Sequence, residues 1–246
     1  MLKNCEICSK SKDLKTVLNL GNLPLVDDLI KINSKKKNHL FKTEILFCSK
    51  CITAYQKFNV RKKRLFPSSY HYRSRMTDDV IKGIKSLVSD SKKYIGNLKN
   101  KVVLDIGCND GSLLDQFKKE NCKTIGVEPT NAALDAKNRG HFIYKTYFDN
   151  EIVKKLNRKF KKIDIITFTN VFAHIENLPE LIKNLKKILS HDTYLIIENH
   201  YLGSILKKKQ FDTFYHEHPR TYSLTSFIKI SKLLELKILN YSFPSR

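Results

Sequence analysis

The chain has 246 residues, of which 41% are hydrophobic, and it carries a formal net charge of +22. This length and apolar content suffice for one large domain with a packed core and a small additional module. No run of about eighteen apolar residues is present, and Met1–Lys10 is polar where a signal peptide needs its apolar segment, so the sequence supports neither a membrane span nor export and predicts a cytoplasmic protein.

The positive charge is spread along the chain. Short basic runs occur at 35–37, 61–64, 161–162 and 207–209. Nucleic-acid sites gather such residues on one element together with aromatic side chains, so this scattered pattern argues against a nucleic-acid partner. Three interpretations stay open: a solvated lysine-rich surface, a polyanion site, and a field that attracts a small anionic ligand such as a nucleotide sugar.

The first 60 residues are predicted to form a small zinc-binding module. Cys5 and Cys8 form one C-x-x-C pair, and Cys48 and Cys51 form a second. Two such pairs supply four thiolates, which fill a tetrahedral Zn²⁺ site with Zn–S distances near ~2.3 Å and leave no open position. A cytoplasmic setting disfavours disulfides, so structural zinc is the preferred interpretation and a redox pair is the alternative.

A connector and a leading helix are predicted over residues 61–96. Pro67–Ser74 is rich in turn-forming and aromatic residues. Apolar residues at helical spacing then predict a helix over 77–96. Residues 97–246 are predicted to form the main domain.

That domain begins with a nucleoside-binding βαβ pattern. Val102–Gly111 reads VVLDIGCNDG, a buried strand that ends near Asp105 and runs into a glycine-rich turn. Gly107 and Gly111 permit backbone angles and a close ligand approach that a Cβ would forbid. A helix over 112–119 packs back on the strand.

An acidic residue completes the pattern. Glu128 ends the next apolar run, IGVEP, where a carboxylate can accept both hydroxyls of a ribose. Asn109 stands at the second glycine position of G-x-G-x-x-G and no P-loop lysine follows, so a pyrophosphate cradle is disfavoured and S-adenosyl-L-methionine is the predicted cofactor. The alternative is an ordinary tight turn between a strand and a helix.

Strands and helices alternate through the rest of the domain. Helices are predicted over 131–139, 150–158 and 179–189, and strands over 142–144, 163–168 and 193–197. This alternation predicts an α/β fold with a doubly wound, mostly parallel, Rossmann-like sheet, whose ligands collect beyond the carboxyl ends of the strands. Asn170, His174 and His200 map to that edge, and Phe148 and Asn170 are assigned to the cofactor site.

One later segment has neither helical nor strand periodicity. Residues 211–223 concentrate ionisable groups, with Tyr215, His216, Glu217 and His218 in succession. An imidazole with an unperturbed pKa near ~6.5 suits proton abstraction near neutral pH, which favours a catalytic loop. The alternatives are that the H-x-H caps a helix, is merely solvated, or binds a second metal.

The motifs in order resemble a known family. They are CEIC, LNLGNLPLVDDL, LFCSKC, SYHYRS, VVLDIGCNDGSLL, GVEPT, TNVFAHI, ENHYLG and FDTFYHEHPRTYS. The chain resembles, over essentially its whole length, the zinc-binding, S-adenosylmethionine-dependent C-methyltransferases that act on nucleotide-activated keto-deoxysugars. The resemblance implies a class I methyltransferase-like fold and methylation at C3 of a dTDP-4-keto-deoxysugar through an enolate formed by a base.

The resemblance also implies roles for particular residues. His218 would be the catalytic base, and Tyr215 and Glu217 would support it or hold the sugar. His174 would lie near the reacting carbon, and Tyr72 in the connector would contact the substrate. The chain departs from the family pattern at His216 and at Pro219-Arg220.

The family's sheet continues past residues 236–243 with a further antiparallel strand, followed by another domain. The domain is therefore expected to be incomplete at its C-terminal end, so that the chain is a fragment, a second polypeptide completes it, or activity is compromised. Two other functions stay open: a zinc-containing RNA base methyltransferase, although Asn170–His174 differs from the N/D-P-P-Y/F of amino-methylating enzymes, and a truncated relative that binds the methyl donor without turnover.

Overall fold

A computed structural model describes residues 1–244, which divide into two compact units. The first unit contains residues 1–65, 173–179 and 199–238, and the second contains 66–172, 180–198 and the described residues from Leu239 onward. The predicted domain boundaries at residues 60 and 96 stay predictions, since the units are interleaved along the chain. Residues 245 and 246 of the predicted main domain lie outside the described residues.

The secondary structure alternates as follows. The strands are β1 (Leu14–Leu23), β2 (Phe41–Cys48), β3 (Thr53–Gln56), β4 (Val102–Ile106), β5 (Lys123–Val127), β6 (Phe142–Tyr144), β7 (Ile165–Thr169), β8 (Tyr194–Glu198) and β9 (Arg220–Thr221). The helices are α1 (Lys62–Leu65), α2 (Asp78–Ile95), α3 (Ser112–Lys119), α4 (Ala132–Asn138), α5 (Asn150–Lys159), α6 (Leu178–Lys186), α7 (Leu202–Lys208) and α8 (Leu224–Leu233).

The first unit is built on an antiparallel sheet. Its strand order is β1-β2-β3-β9, so a two-residue strand from late in the chain pairs with the strand that follows the second cysteine pair. Ile45, Ala54 and Leu202 form its buried core, with Phe47 and Phe214 packed against them. A β-sheet therefore accompanies the cysteine pairs, and one of its strands, β9, lies in the segment 211–223 that has no strand periodicity.

The second unit is an α/β layer structure. Its sheet has the order β6-β5-β4-β7-β8, and all four strand pairs are parallel. The central strand β4 is almost wholly buried, as its apolar run predicts. α2 and α3 pack on the sheet through Ile84, Val88, Leu113 and Phe117. The predicted doubly wound parallel sheet is confirmed.

The predicted elements agree closely with those observed in the second unit. α3 and β6 have the predicted bounds, and β4 ends at Ile106, one residue after Asp105. β7 begins at Ile165 and ends at Thr169, two residues and one residue later than predicted. No strand occurs over 236–243 within the part of the chain that the structure describes. None of the described helices combines the length and the apolar character that a membrane crossing requires.

Candidate functional site

The four N-terminal cysteines form a cluster in the first unit, as predicted. The sulfur atoms of Cys5, Cys8, Cys48 and Cys51 all lie within 4.8 Å of one another, and Cys8 Sγ is 3.9 Å from Cys48 Sγ. Four thiolates around Zn²⁺ at a bond length near ~2.3 Å stand about 3.8 Å apart, so the cluster has the dimensions of a tetrahedral site. Among residues 1–244 it is the only group of three or more His, Cys, Asp or Glu side chains so arranged.

The two cysteine pairs have the same backbone geometry. The amide of Ser9 donates to Cys5 O at 2.8 Å, and the amide of Ile52 donates to Cys48 O at 2.8 Å. Ser9 and Ile52 both have a positive φ, 58° and 51° respectively. The chain therefore turns in the same way after each pair, which presents the thiols of the pair to a common point.

Neighbouring polar groups complement thiolate charge. Tyr55 Oη lies 3.1 Å from Cys5 Sγ, and Lys229 Nζ lies 3.9 Å from Cys51 Sγ. Burial raises the pKa of the Cys48 thiol to about 11, so a cation is what would favour its thiolate at neutral pH. The donor set thus fits a zinc ion.

The glycine-rich loop of the second unit has the backbone angles that the sequence predicts. Gly107 and Gly111 have φ of 74° and 80°, as a sharp turn requires. A Cβ on Gly107 would meet the Val171 side chain at 2.5 Å, and one on Gly111 would meet His141 at 2.9 Å and Ala136 at 3.0 Å. Protein side chains fill the Cβ direction at both glycines, so internal packing is a further reason for glycine beside the expected backbone angle.

Asn109 binds the connector to this loop. Its φ of 49° is one that asparagine tolerates. Its Oδ1 accepts from the amide of Ser74 at 3.0 Å, and its Nδ2 donates to Tyr72 O at 3.1 Å. Tyr72, a predicted catalytic residue, therefore lies in the second unit beside the glycine-rich loop, and its side chain is partly exposed.

Glu128 holds the loop from the end of β5. Its Oε2 accepts from the Asn109 amide at 3.1 Å, and its Oε1 accepts from the Thr130 amide at 2.9 Å. Each carboxylate oxygen retains a second lone pair, so the predicted contact to a ribose remains chemically available. Asp105 is buried in β4 and its Oδ1 accepts from Thr167 Oγ1 at 2.7 Å, while burial, with a further contribution from Glu128, raises the pKa of Asp105 to about 7.

The other predicted cofactor residues, Phe148 and Asn170, follow the strands β6 and β7. Asn170 follows β7 with a φ of 55°, and its amide donates to Glu198 O at 2.9 Å. Phe148 is half-buried in the turn between β6 and α5. Asn170 therefore lies at the carboxyl edge of the sheet, as predicted, and Phe148 follows the carboxyl end of β6.

The histidines form a second cluster in the first unit. The His218 ring centroid lies 4.3 Å from that of Tyr215, 4.6 Å from that of His200 and 4.9 Å from that of His174. Each of these residues except His200 is a predicted catalytic residue, and they come from three separate chain segments. Glu217, the fourth predicted catalytic residue of this unit, is buried.

The hydrogen bonding of His218 defines its tautomer. Its Nδ1 lies 2.9 Å from Thr213 O, and because a carbonyl oxygen only accepts, Nδ1 carries the hydrogen. Nε2 then carries the lone pair. Burial lowers the pKa of His218 to about 4, which corrects the expected unperturbed value and keeps the ring neutral at physiological pH.

Residues 211–223, the histidine loop, are held by hydrogen bonds to β3. Gln56 Nε2 donates to Tyr215 O at 3.2 Å, and the Gln56 amide donates to Pro219 O at 2.9 Å. Burial raises the pKa of Tyr215, and the Glu217 carboxylate raises it further, so the phenol keeps its proton and can donate a hydrogen bond.

The two histidines of the H-x-H motif have different surroundings. His216 Nε2 lies 3.0 Å from Thr43 Oγ1, and its ring packs against Phe41 on β2. His218 instead belongs to the cluster with His174. The alternative of a second metal on the H-x-H motif is therefore not supported.

Sequence reasoning missed several residues of these sites. The buried Asp110 accepts from Ser112 Oγ at 2.6 Å and from the Arg75 amide at 3.1 Å, which joins the connector to the start of α3. Asn199 precedes His200, and its Oδ1 accepts from the Ala173 amide at 3.3 Å. Both are polar residues next to predicted site residues, and that adjacency is the only sequence signal for them.

The sheet order, the glycine-rich loop after its central strand and the acidic residue after the next strand define a class I methyltransferase fold. A family profile described as a methyltransferase domain matches residues 72–240. The chain therefore belongs to this methyltransferase family.

Two curated relatives match different extents of the chain. The C-methyltransferase NovU of Streptomyces niveus is 25% identical over 241 residues, which is 97% of this chain and 57% of the relative. A ubiquinone biosynthesis O-methyltransferase of Coxiella burnetii, strain Dugway 5J108-111, is 24% identical over 169 residues, which is 61% of this chain and 72% of the relative. The chain thus spans less than two thirds of the C-methyltransferase's length.

Two solved structures share the fold. The plantazolicin methyltransferase BpumL in complex with SAH has a TM-score of 0.51 and 19% identity, covering 65% of this chain and 66% of that one. The PH0226 protein of Pyrococcus horikoshii OT3 has a TM-score of 0.50 and 17% identity, covering 70% of this chain and 87% of that one. At these identities the likeness establishes the fold alone.

Proposed function

We propose that this chain is a cytoplasmic, S-adenosylmethionine-dependent C-methyltransferase that methylates C3 of a dTDP-4-keto-deoxysugar. His218 acts as the general base, and Cys5, Cys8, Cys48 and Cys51 hold a structural Zn²⁺ ion. The observation that carries the proposal is the buried, neutral His218 with its lone pair on Nε2.

Methylation at carbon requires a base more than methylation at oxygen does. A carbon beside a keto group becomes a nucleophile only when a positioned base removes its proton and a hydrogen-bond donor stabilises the enolate oxygen. A neutral imidazole with Nδ1 held by a carbonyl is suited to accept that proton at Nε2. His218 meets this requirement through Thr213.

Tyr215 is the proposed donor to the enolate. Its ring centroid lies 4.3 Å from that of His218, and burial raises its pKa, so it remains a phenol at neutral pH. Glu217 adds to that increase in pKa. His174, with a ring centroid 4.9 Å from that of His218, is a further polar group next to the base.

The proposed reaction begins with proton transfer from C3 of the sugar to His218. His218 Nε2 takes the proton from C3, and the electron pair of the C3–H bond becomes the enolate, with its charge on the C4 oxygen near Tyr215. Bound S-adenosylmethionine supplies the electrophilic methyl group, so that a C–C bond forms at C3 and the electrons of the S–CH₃ bond leave with sulfur in S-adenosylhomocysteine. His218 then releases its proton to solvent.

The donor is proposed to bind at the carboxyl edge of the parallel sheet. Glu128 would accept the ribose hydroxyls, since two backbone amides already orient its carboxylate. Asp105, Gly107, Asn109, Gly111, Phe148 and Asn170 are the further proposed donor-site residues. Orientation of donor and acceptor supplies much of the acceleration in such a displacement.

Similarity to a C-methyltransferase supports this choice over O-methylation. NovU aligns with 97% of the chain, whereas the O-methyltransferase aligns with 61%. A nucleoside diphosphate on the acceptor is also consistent with the net charge of +22. Zinc enters no step, because four thiolates fill its coordination sphere.

Deuterium exchange separates the base from the donor site. A dTDP-4-keto-6-deoxysugar is incubated with the protein in D₂O without methyl donor, and loss of the C3 proton signal is followed by NMR. In a second arm, methyl transfer from labelled S-adenosylmethionine is measured. The wild-type protein should catalyse both reactions.

Two variants give opposite patterns. His218→Asn should lose exchange and transfer while its affinity for the donor, measured by calorimetry, stays unchanged. Glu128→Ala should lose transfer at limiting donor while retaining exchange. Equal exchange by wild type and His218→Asn would remove His218 from the base role, and absence of exchange in the wild type would reject the keto-sugar substrate.

A further inference from the structure

A buried guanidinium joins three segments of the first unit. The Arg220 side chain is fully buried; its Nη1 and Nη2 donate to Ile175 O at 2.8 and 2.5 Å. Its Nε lies 3.1 Å from Glu6 Oε2, an ion-pair distance without the alignment of a hydrogen bond. A charge in such surroundings persists only when it is paired, so these contacts fix the side chain.

Each contact of Arg220 lies beside a residue of a proposed site. Glu6 stands between Cys5 and Cys8, in the turn of the first cysteine pair. Ile175 follows His174 directly, and Arg220 itself is two residues beyond His218.

Glu6 also holds the segment after His174. Its Oε1 accepts from the Leu178 amide at 3.3 Å. Ile175 O and the Leu178 amide, the two ends of one turn, are therefore held by Arg220 and Glu6 respectively.

The β-sheet supplies a second link between the same parts. Tyr55 is the cross-strand partner of Arg220 in the β3–β9 pair, and its hydroxyl reaches Cys5 Sγ. β9, the strand that carries Arg220, is thus paired with β3, the strand whose Tyr55 contacts the cysteine cluster.

We propose that Arg220 is a positioning residue, which uses Glu6 as its anchor to hold His174 and His218 in the geometry for proton abstraction. The cysteine module then contributes to the reaction through this ion pair, although it supplies no reacting atom. The inference rests on the proposed function for its catalytic meaning, whereas the structural coupling it states is independent of the substrate.

Arginine is needed at this position for a geometric reason. Two guanidinium nitrogens share one carbonyl while a third faces the carboxylate, and a lysine ammonium has no such planar fork. Arg220→Lys keeps the charge and should restore part of the function lost in Arg220→Met. Glu6→Gln keeps an acceptor for the Leu178 amide but removes the charge. Arg64→Met is the matched control, because Arg64 is an ion-paired arginine of the same unit, with Asp28 as its partner, but is half exposed.

The test combines kinetics with ¹⁵N NMR of histidine-labelled full-length protein, with the His218 signals assigned through His218→Asn. Wild type and Arg64→Met should show the Nδ1–H tautomer of His218. Arg220→Met and Glu6→Gln should lose that signature and lower the rate of C3 exchange by about 100-fold, the scale expected for a small misplacement of a reacting group. Donor affinity and zinc content should be unchanged, and Arg220→Lys should lie between the wild type and Arg220→Met.

Other outcomes would overturn the inference. The inference fails if Arg220→Lys and Glu6→Gln both keep the wild-type tautomer signal and exchange C3 within about twofold of the rate of Arg64→Met. If Arg220→Met does not fold, these two milder variants provide the test. Loss of zinc in parallel with activity would assign Arg220 to the stability of the metal module instead. If the wild type catalyses no exchange, the proposed function fails, while the NMR comparison still tests the coupling.

Discussion

Replacing His218 with asparagine should remove a defined part of the acid sensitivity of folding. Burial lowers the pKa of His218 from its ordinary 6.5 to about 4, against the opposing hydrogen bond to Thr213. Between these values the unfolded chain binds a proton that the folded protein does not. The contribution of His218 to the free energy of unfolding is therefore undiminished above about pH 6.5 and becomes unfavourable as the pH falls toward 4.

The size of this effect follows from the shift. One pKa unit corresponds to ~1.4 kcal/mol, so the full difference amounts to about 3 kcal/mol. Between pH 7 and pH 5 the unfolded state becomes protonated at His218 while the folded state stays largely neutral, and the linkage relation gives a loss of about 2 kcal/mol from this single side chain. Other groups also titrate in this range, and the comparison between variants cancels them.

The assay is urea unfolding of the wild type and His218→Asn at pH 7 and pH 5, followed by circular dichroism. Asparagine is chosen because its amide can still donate to Thr213 O. The wild type should lose about 2 kcal/mol more than the variant between the two pH values. His191→Asn is the control, because His191 is fully exposed and its removal should leave the wild-type difference intact.

An equal loss, to within about 0.5 kcal/mol, in the wild type and His218→Asn would refute the reasoning. It would mean that His218 is hydrated enough to titrate normally in the folded protein. His218 would then be protonated for part of the time near neutral pH and would not be a permanently neutral base.

Three further predictions concern the metal, the donor and the glycine-rich loop. Cys48→Ser should reduce the zinc content measured by atomic emission from one ion per chain to a small fraction, whereas Cys122→Ser should retain it, because Cys122 lies outside the cluster. Glu128→Ala should weaken donor binding in calorimetry by about 100-fold, since each hydrogen bond to a charged group contributes ~1.5–3 kcal/mol, and Glu128→Gln should fall in between; unchanged affinity would exclude a diol contact. Gly107→Ala should lower the free energy of unfolding by about 1–3 kcal/mol more than the control Gly96→Ala. Both glycines have a φ near 75°, but only at Gly107 does a side chain lie within 4 Å of the added Cβ.

The second unit could be predicted closely because its determinants are local. Val102–Ile106 is a short apolar run between polar turns, and a parallel strand buried on both faces requires that pattern. The spacing of Cys5, Cys8, Cys48 and Cys51 likewise specified the cluster, since a C-x-x-C turn brings two thiols together whatever the rest of the chain does.

The remaining features depend on contacts distant in sequence. β9 is too short to carry any periodicity, and its pairing with β3 is set by tertiary packing. The side chain of Asn109 is engaged by the connector, some 35 residues earlier in the chain. The contact of Arg220 with Glu6 likewise spans most of the chain, and its contact with Ile175 spans 45 residues. Neither residue type nor spacing indicates these contacts.

The difference between what the sequence predicts and what tertiary packing determines matters most for the pKa of His218. From the sequence its ordinary value indicates a base poised near neutral pH, whereas burial makes it a weaker base that is always available. A weaker base shifts the energetic demand of enolate formation to the groups that stabilise the developing charge on oxygen. Tyr215, held protonated by the same burial, is then as important to the proposed chemistry as the base itself. The low-dielectric surroundings that lower the basicity of the imidazole also strengthen a hydrogen bond donated by this phenol. Burial therefore determines both the strength of the proposed base and the proposed stabilisation of the enolate oxygen.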